Sequence, residues 1–348
     1  MLEFAYEYGM FFAKIATFVV ALLFVVGSVV SLSGRQRQDH EDGYLRVRHL
    51  NDELSGLRDG LRQEILSESA RKAEEKKRRK EEKLKKKAEK KLPETASKPR
   101  VFVLDFDGDV RASAVSQLRR ELSAILQVAE SQDEVLVRLE SPGGMVHSYG
   151  LAASQLRRIR NQGLRLTVAV DQVAASGGYM MACIADRIIA APFAVLGSIG
   201  VVAQIPNFHR LLKKNDIDVE LLTAGEYKRT LTMFGHNTDS DRAKFQEELE
   251  DTHVLFKDFV GDNRRALDVN KVATGEHWYG IRALQLGLAD ELLTSDEYLL
   301  RRSKEADIYE LSWQAKRTLA DRLGFSVGQA LERIVERWLH RGSQRELQ

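Results

Sequence analysis

Between residues 101 and 190 the chain repeats one pattern: a short apolar run, a turn, then a stretch with apolar residues every three or four positions. VFVLDFDGDV reads as a strand and turn, and SAVSQLRRELSAILQVA as a helix. DEVLVRLESPGG is a buried strand ending in a tight glycine turn, and SYGLAASQLRRIRNQG a helix with Gly163 as its C-cap. LRLTVAV and DRIIAAP are further strands. Strands this apolar have both faces covered, and alternation with helices makes the sheet parallel, so the fold class is α/β. Further along, FHRLLKKNDI reads as a helix, VELLTA as a strand, and 239–265 and 280–287 as helices. No sequence repeat of fixed period is present.

The flanks differ in texture. Residues 10–32, MFFAKIATFVVALLFVVGSVVSL, are long and apolar enough to cross a bilayer, with Lys14 able to reach the interface. A cleaved signal peptide would need a basic start, a shorter apolar core and a small-residue cleavage site. The chain instead begins MLEFAYEYG. A retained anchor is therefore expected. Arg35, Arg37, Arg46 and Arg48 follow it and favour a cytoplasmic location for what comes next. Residues 34–99 read as a polar spacer: 71–91 carry 13 Lys/Arg against five Asp/Glu, in a chain whose net charge is only +2. Glu/Lys pairs at helical spacing make this run a solvated helix, with a basic arm on anionic lipid as the alternative. No aromatics are interleaved with the charges, so nucleic acid is not an expected partner. Pro93 and Pro99 close the spacer. At the other end, 301–348 are expected to be a helical extension, with Val327, Leu331, Ile334, Val335 and Trp338 in one stripe. The single cysteine, Cys183, excludes an intrachain disulfide and reads as core. No metal cluster or nucleotide loop stands out, and no cofactor is expected.

Chemistry concentrates in VDQVAASGGYMMACIAD, 170–186. Ser176 sits between two alanines and two glycines, ahead of a run apolar enough for a helix buried on all sides. Free amides and the helix dipole favour negative charge there. That suits a nucleophilic hydroxyl, although an ordinary serine N-cap produces the same pattern. SPGG at 141–144 adds two glycines after a buried strand, a turn able to present amides to an oxyanion. A serine nucleophile needs a base. His147, His209 and His236 lie in unhelpful contexts, and no histidine occurs in 186–204. Lys228 in TAGEYKRT follows a strand and the Gly225 turn, and Ser198 in VLGSIGV is a hydroxyl on a glycine-flanked loop that could orient an amine. To act as base the lysine must lose about 3 units of pKa. Taken alone, Lys228 is one lysine among several. Ser69 and Lys72 have S-x-x-K spacing but lie in the charged spacer.

SPGG, AASGGYMMACIAD, APFAVLGSIGV and TAGEYKRT in this order resemble the signal peptide peptidase A (SppA) family of bacterial membrane serine endopeptidases. The anchor, charged spacer and single catalytic unit resemble its SohB branch. The resemblance covers about 100–300 and includes the tail TGEHWYGIRALQLGLAD. It implies a ClpP/crotonase-like domain of repeated ββα units over 100–300. Ser176 matches the nucleophile, Lys228 the general base of a Ser–Lys dyad, and Ser198 the hydroxyl orienting it. Gly143, Gly144 and Gly177 match the oxyanion hole. It also implies a homo-oligomeric ring or bowl at the bacterial inner membrane, acting on signal-peptide remnants or unfolded membrane-associated polypeptides. Two rivals are a crotonase-type acyl-CoA enzyme and a non-catalytic membrane-anchored assembly module.

Overall fold

A computed structural model describes residues 43–71 and 98–315 except 226, together with isolated positions between 9 and 18 and at 76, 80 and 84. Most of the expected span at 10–32, most of the charged run and the stripe from Val327 to Trp338 lie outside the described residues. Among the described residues no helix is long and apolar enough to cross a membrane. Residues Leu45–Trp313 form one compact unit; the other, Met1–Tyr44 with Gln314–Gln348, falls largely outside the described residues.

The strand–helix alternation is realised as two sheets. Strands β1 (Gly43–His49), β2 (Arg100–Asp107), β3 (Glu134–Glu140), β4 (Arg165–Val170), β6 (Arg187–Ala190), β9 (Glu291–Leu292) and β10 (Asp307–Ala315) form a seven-stranded sheet in the order β1-β10-β2-β3-β4-β6-β9. From β10 to β9 every neighbouring pair is parallel. The short strands β5 (Val173–Ala175), β7 (Val195–Gly197) and β8 (His277–Tyr279) form the second sheet, with β5 and β7 parallel and β7 and β8 antiparallel. A strand of the large sheet thus runs into one of the small sheet: β4 leads to β5, and β6 to β7.

The strand runs are apolar because both faces of the large sheet are covered. On one face Phe102, Leu104, Phe106, Val135, Val137, Leu139, Leu166, Val168 and Val170 meet α2 (Val115–Val128) and α3 (Val146–Asn161), together with α4 (Gly177–Ala182). On the other, Val101, Val103, Leu136, Ala169 and Ile189 meet Leu50 of α1 (Leu50–Ile65) and Tyr298 and Leu299 of α9 (Ser295–Arg302). Chain order between these includes α5 (His209–Lys214), α6 (Asp239–Asn263), α7 (Val269–Val272) and α8 (Gly280–Leu286). Gly163, at φ 74°, takes the left-handed turn after α3 expected of it.

Three expectations fail. Residues 43–65 are not spacer: β1 edges the sheet beside β10, and Asn51 of α1 donates to the Ser303 and Ala306 carbonyls and accepts from the Ile308 amide at 2.7 Å. The C-terminal extension is not helical throughout, since β10 occupies 307–315 in parallel register with β2. VELLTA, 219–224, is not a strand. It lies exposed within 201–235, where among the described residues no neighbouring strand offers it hydrogen bonds; Val202 is 91 % exposed and Leu222 89 %.

Candidate active site

The site is assembled where the two sheets meet. β3 ends at Glu140, and the next residue, Ser141, bridges in parallel to Ala174 of β5. Its amide donates to the Val173 carbonyl at 2.8 Å, and its carbonyl accepts from the Ala175 amide at 3.0 Å. This pairing sets the SPGG turn beside the residues that precede Ser176. The turn closes with the Met145 amide on the Val110 carbonyl at 2.8 Å, after which α3 begins.

Ser176 follows β5 with φ 52° and ψ −119°. A serine N-cap has extended backbone angles and an oxygen that accepts from an amide of the first helical turn. Ser176 has neither: its φ is positive and its side chain makes no capping hydrogen bond. A non-glycine residue at positive φ is uncommon and strained, and it persists only where the surroundings impose it. Here the Ser176 amide is held by the Gly197 carbonyl at 2.8 Å, and every residue of α4 is buried. Ser176 is half-buried, between buried Ala175 and Gly177. The apolar run therefore anchors a helix that holds one hydroxyl at the surface of the core.

Ser198 repeats this geometry. Ala175 of β5 pairs with Gly197 of β7, so Ser176 and Ser198 each lie one residue beyond a paired position. Both have φ 52°, and the Ser198 amide donates to the Glu276 carbonyl at 2.6 Å. Gly197, at φ 97°, packs against the Trp278 ring; a Cβ there would lie 2.7 Å from Trp278 Cε3.

The glycine turn abuts the serine. Gly143 is at φ 96°, and a Cβ added to it would lie 2.7 Å from Ser176 Cβ and 2.8 Å from both the Ala175 carbonyl oxygen and the Gly177 nitrogen. Gly144 abuts the Val110 carbonyl just as closely. The two turn amides differ: Gly143 donates to Ser141 Oγ at 3.0 Å, which leaves Gly144 as the turn amide that Ser141 does not engage. Gly177 opens α4, so its amide has no acceptor within that helix.

The structure thus brings together Ser176, Ser198, Gly143, Gly144 and Gly177. It does not bring Lys228 to them. Lys228 is exposed, its amide donates to the Gly225 carbonyl at 3.2 Å, and among the described residues no hydrogen bond or ion pair joins it to Ser176 or Ser198. His147 is exposed, and the rings of His209 and His236 meet edge-on at 5.6 Å within the segment that carries Lys228. Cys183 is fully buried, and burial pushes its thiol up to about 12, which makes it inert core. Ser141 and Tyr149, both fully buried, touch the turn and are not conspicuous in the sequence; the one available signal is that Tyr149 shares a face of α3 with Ala152, Ala153, Leu156 and Ile159.

The chain matches two descriptions: "Peptidase family S49 N-terminal" over residues 3–156 and "Peptidase family S49" over 158–309. A Haemophilus influenzae protein described as probable protease SohB is 52 % identical over 337 residues, covering 95 % of each chain. A probable protease SohB of Buchnera aphidicola from Acyrthosiphon pisum is 56 % identical over 231 residues, 66 % of this chain and 69 % of its own. Among solved structures, a variant of the 1510-N membrane-bound stomatin-specific protease in complex with a substrate peptide is 14 % identical, with a TM-score of 0.41 over 67 % of this chain and 99 % of that one. Matched from residue 3 to residue 309 and sharing half its residues with a near full-length relative, the chain belongs to peptidase family S49 and is a serine-type protease.

Proposed function

We propose that this peptidase is a membrane-anchored endopeptidase that cleaves through a Ser176–Lys228 dyad in a ClpP/crotonase-like unit. The observation that carries the reading is the backbone of Ser176: strained, uncapped, fixed by the Gly197 carbonyl and flanked by Gly143 and Gly177. In this reading Lys228, neutral and oriented by Ser198, takes the Ser176 proton. Ser176 Oγ attacks the peptide carbonyl, and the Gly144 and Gly177 amides receive the oxyanion while Gly143 shapes the turn. An oxyanion donor is commonly worth about 3–4 kcal/mol. Lys228 then protonates the leaving amine, and water clears the acyl-enzyme. Its exposure in the single chain fits a base installed by assembly. Val202, Leu211, Leu221, Leu222, Met233 and Phe234 are exposed on the segment that carries it, a concentration of apolar surface that marks an interaction site. A second copy covering this segment would exclude water and carry Lys228 onto the serines.

Residues 10–32 would anchor the enzyme in the inner membrane, with the catalytic unit on the cytoplasmic side by the charge rule. The small residues around Ser176 suit an extended strand, so remnant signal peptides and unfolded membrane-associated polypeptides are the substrates in this reading.

The test is fluorophosphonate labelling of the full-length protein across pH 6–10, with site assignment by mass spectrometry. Labelling of Ser176 that is lost in both Ser176→Ala and Lys228→Ala supports the dyad, and its pH midpoint reports the base. Labelling that survives Lys228→Ala shows that another group is the base. A folded oligomer that is never labelled returns the protein to the assembly-module reading.

A further inference from the structure

Behind the glycine turn, Ser141 and Tyr149 form a buried chain of hydrogen bonds tied to the backbone at both ends. At one end the Gly143 amide, which can only donate, gives its hydrogen to Ser141 Oγ at 3.0 Å. At the other the Asp109 carbonyl, which can only accept, lies 2.8 Å from the Tyr149 hydroxyl. Ser141 Oγ and Tyr149 Oη are 2.5 Å apart between them. The Ser141 hydroxyl also has an acceptor in the Gly108 carbonyl, at 3.4 Å. The two hydroxyls thus tie the Gly143 amide to the Asp109 and Gly108 carbonyls, whichever hydroxyl donates to the other. Aligned bonds in a dry interior reinforce one another, and both hydroxyls are fully buried.

The same tyrosine also touches the nucleophile's helix. Where a Cβ on Gly177 would sit, it would overlap the Tyr149 ring, with Tyr149 Cβ 2.8 Å away. A Cβ on Gly178 would come within 2.5 Å of the Ser141 carbonyl oxygen, and one on Gly108 within 2.6 Å of Ser141 Oγ. Tyr149 thus supports the SPGG turn through its hydroxyl and the start of α4 through its ring. These two elements come from different strands, and in the proposed mechanism they supply the two amides of one anion hole.

We infer that Tyr149 and Ser141 are positioning residues for the oxyanion hole, with the Tyr149 ring setting the position of Gly177 and the Ser141–Tyr149 hydroxyl chain fixing the Pro142–Gly143 peptide that leads into Gly144. The inference rests on the proposed role of Ser176. Neither side chain touches substrate; the Tyr149 ring acts through the Gly177 backbone, and Ser141 through the Gly143 amide that precedes Gly144. Misplacing a reacting group by about 1 Å costs on the order of 100-fold in rate. Removing a hydroxyl while keeping the ring frees the turn but not the helix, so the expected loss is about 10- to 100-fold in kcat.

The experiment compares Tyr149→Phe, Ser141→Ala and the double variant with the wild type, in the full-length oligomer. It reads hydrolysis of a peptide ester, the phosphonate labelling rate of Ser176, and melting temperature. The expected result is a lower kcat with KM unchanged, a slower labelling rate whose pH midpoint does not move, and a double variant no worse than the weaker single. Tyr298→Phe, which removes a buried tyrosine hydroxyl from the opposite face of the sheet beside Glu134, is the control: it should lower melting temperature without lowering kcat. Should Tyr149→Phe fail to fold, Ser141→Ala breaks the same chain from its other end and decides the question. Folded variants with kcat within twofold of the wild type, or with kcat lowered no more than by Tyr298→Phe, overturn the inference. A wild type whose Ser176→Ala variant labels equally well overturns the reading beneath it, and with it the anion hole these residues are said to position.

Discussion

Two glycines at positive φ allow the steric demand at the site to be separated from the backbone demand. Gly163, at φ 74°, has nothing within 4 Å of where a Cβ would stand. Gly163→Ala should therefore cost only the left-handed backbone, about 1 kcal/mol. Gly143, at φ 96°, adds three contacts of 2.7–2.8 Å with Ser176 Cβ, the Ala175 carbonyl oxygen and the Gly177 nitrogen. Ordinary contacts are about 3.5–4.0 Å, so something must move by about 1 Å, and two of the three atoms are backbone. Overpacking of this kind costs about 1–3 kcal/mol beyond the φ term. The expected total for Gly143→Ala is about 2–4 kcal/mol. At about 2–4 °C per kcal/mol, it should melt several degrees below Gly163→Ala. Because the atoms displaced are those around Ser176, its phosphonate labelling should slow by about 100-fold while Gly163→Ala labels normally. Equal melting losses in the two variants, or labelling of Gly143→Ala within threefold of the wild type, would refute the close approach of turn and nucleophile.

Other outcomes follow from side chains away from the serine. Glu121 is buried, burial raises its pKa despite the Gln117 amide and Trp313 N–H it accepts, and a folded-state pKa above the unfolded one means stability falls as pH rises from about 4.3. Denaturant titrations at pH 4–8 should show this decline in the wild type and a flatter profile in Glu121→Gln. Asp133 has the opposite sign: burial raises it, but the Arg100 guanidinium and the Glu130 and Arg100 amides outweigh burial and hold it below its ordinary value. Its contribution is full above about 3.9 and lost as pH falls further, and Asp133→Ala, which leaves Arg100 with Glu130 and the Val128 carbonyl but takes the acceptor from the Arg100 and Glu130 amides, should cost about 1–3 kcal/mol at neutral pH. Leu222→Asp should leave the melting of the monomeric unit unchanged, since the side chain is 89 % exposed, yet reduce assembly by light scattering and slow Ser176 labelling with it.

What the sequence made legible is what depends on continuous burial. β2, β3 and β4 are apolar on both faces because helices cover both, and α4 is apolar all round because core surrounds it. β1 was hidden because it is an edge strand whose charge is partnered: Arg48 reaches Glu53 and Glu310, which reads in sequence as a soluble spacer. VELLTA was overread because valine and leucine favour a strand without supplying its neighbour, and the described residues offer none. At the site, Ser176 and the glycines were legible as residue types. The positive φ shared by Ser176 and Ser198 was not, because it arises from β5–β7 pairing between distant segments. The Ser141–Tyr149 chain was equally hidden: a serine and a tyrosine eight positions apart become partners only when α3 turns back beneath the glycine turn.

The inclusion of β1 and α1 in the catalytic body changes what the charged run is. It leaves that body after α1 and re-enters it at β2, so it is an excursion from a single body and not a leash between two. With the proposed anchor ending at residue 32, ten residues separate it from β1, a length that fully extended would reach about 35 Å. An enzyme tethered in that way would work within about one domain diameter of the bilayer surface. Its substrates would be selected first by residence at the membrane and only afterwards by the fit of a peptide beside Ser176.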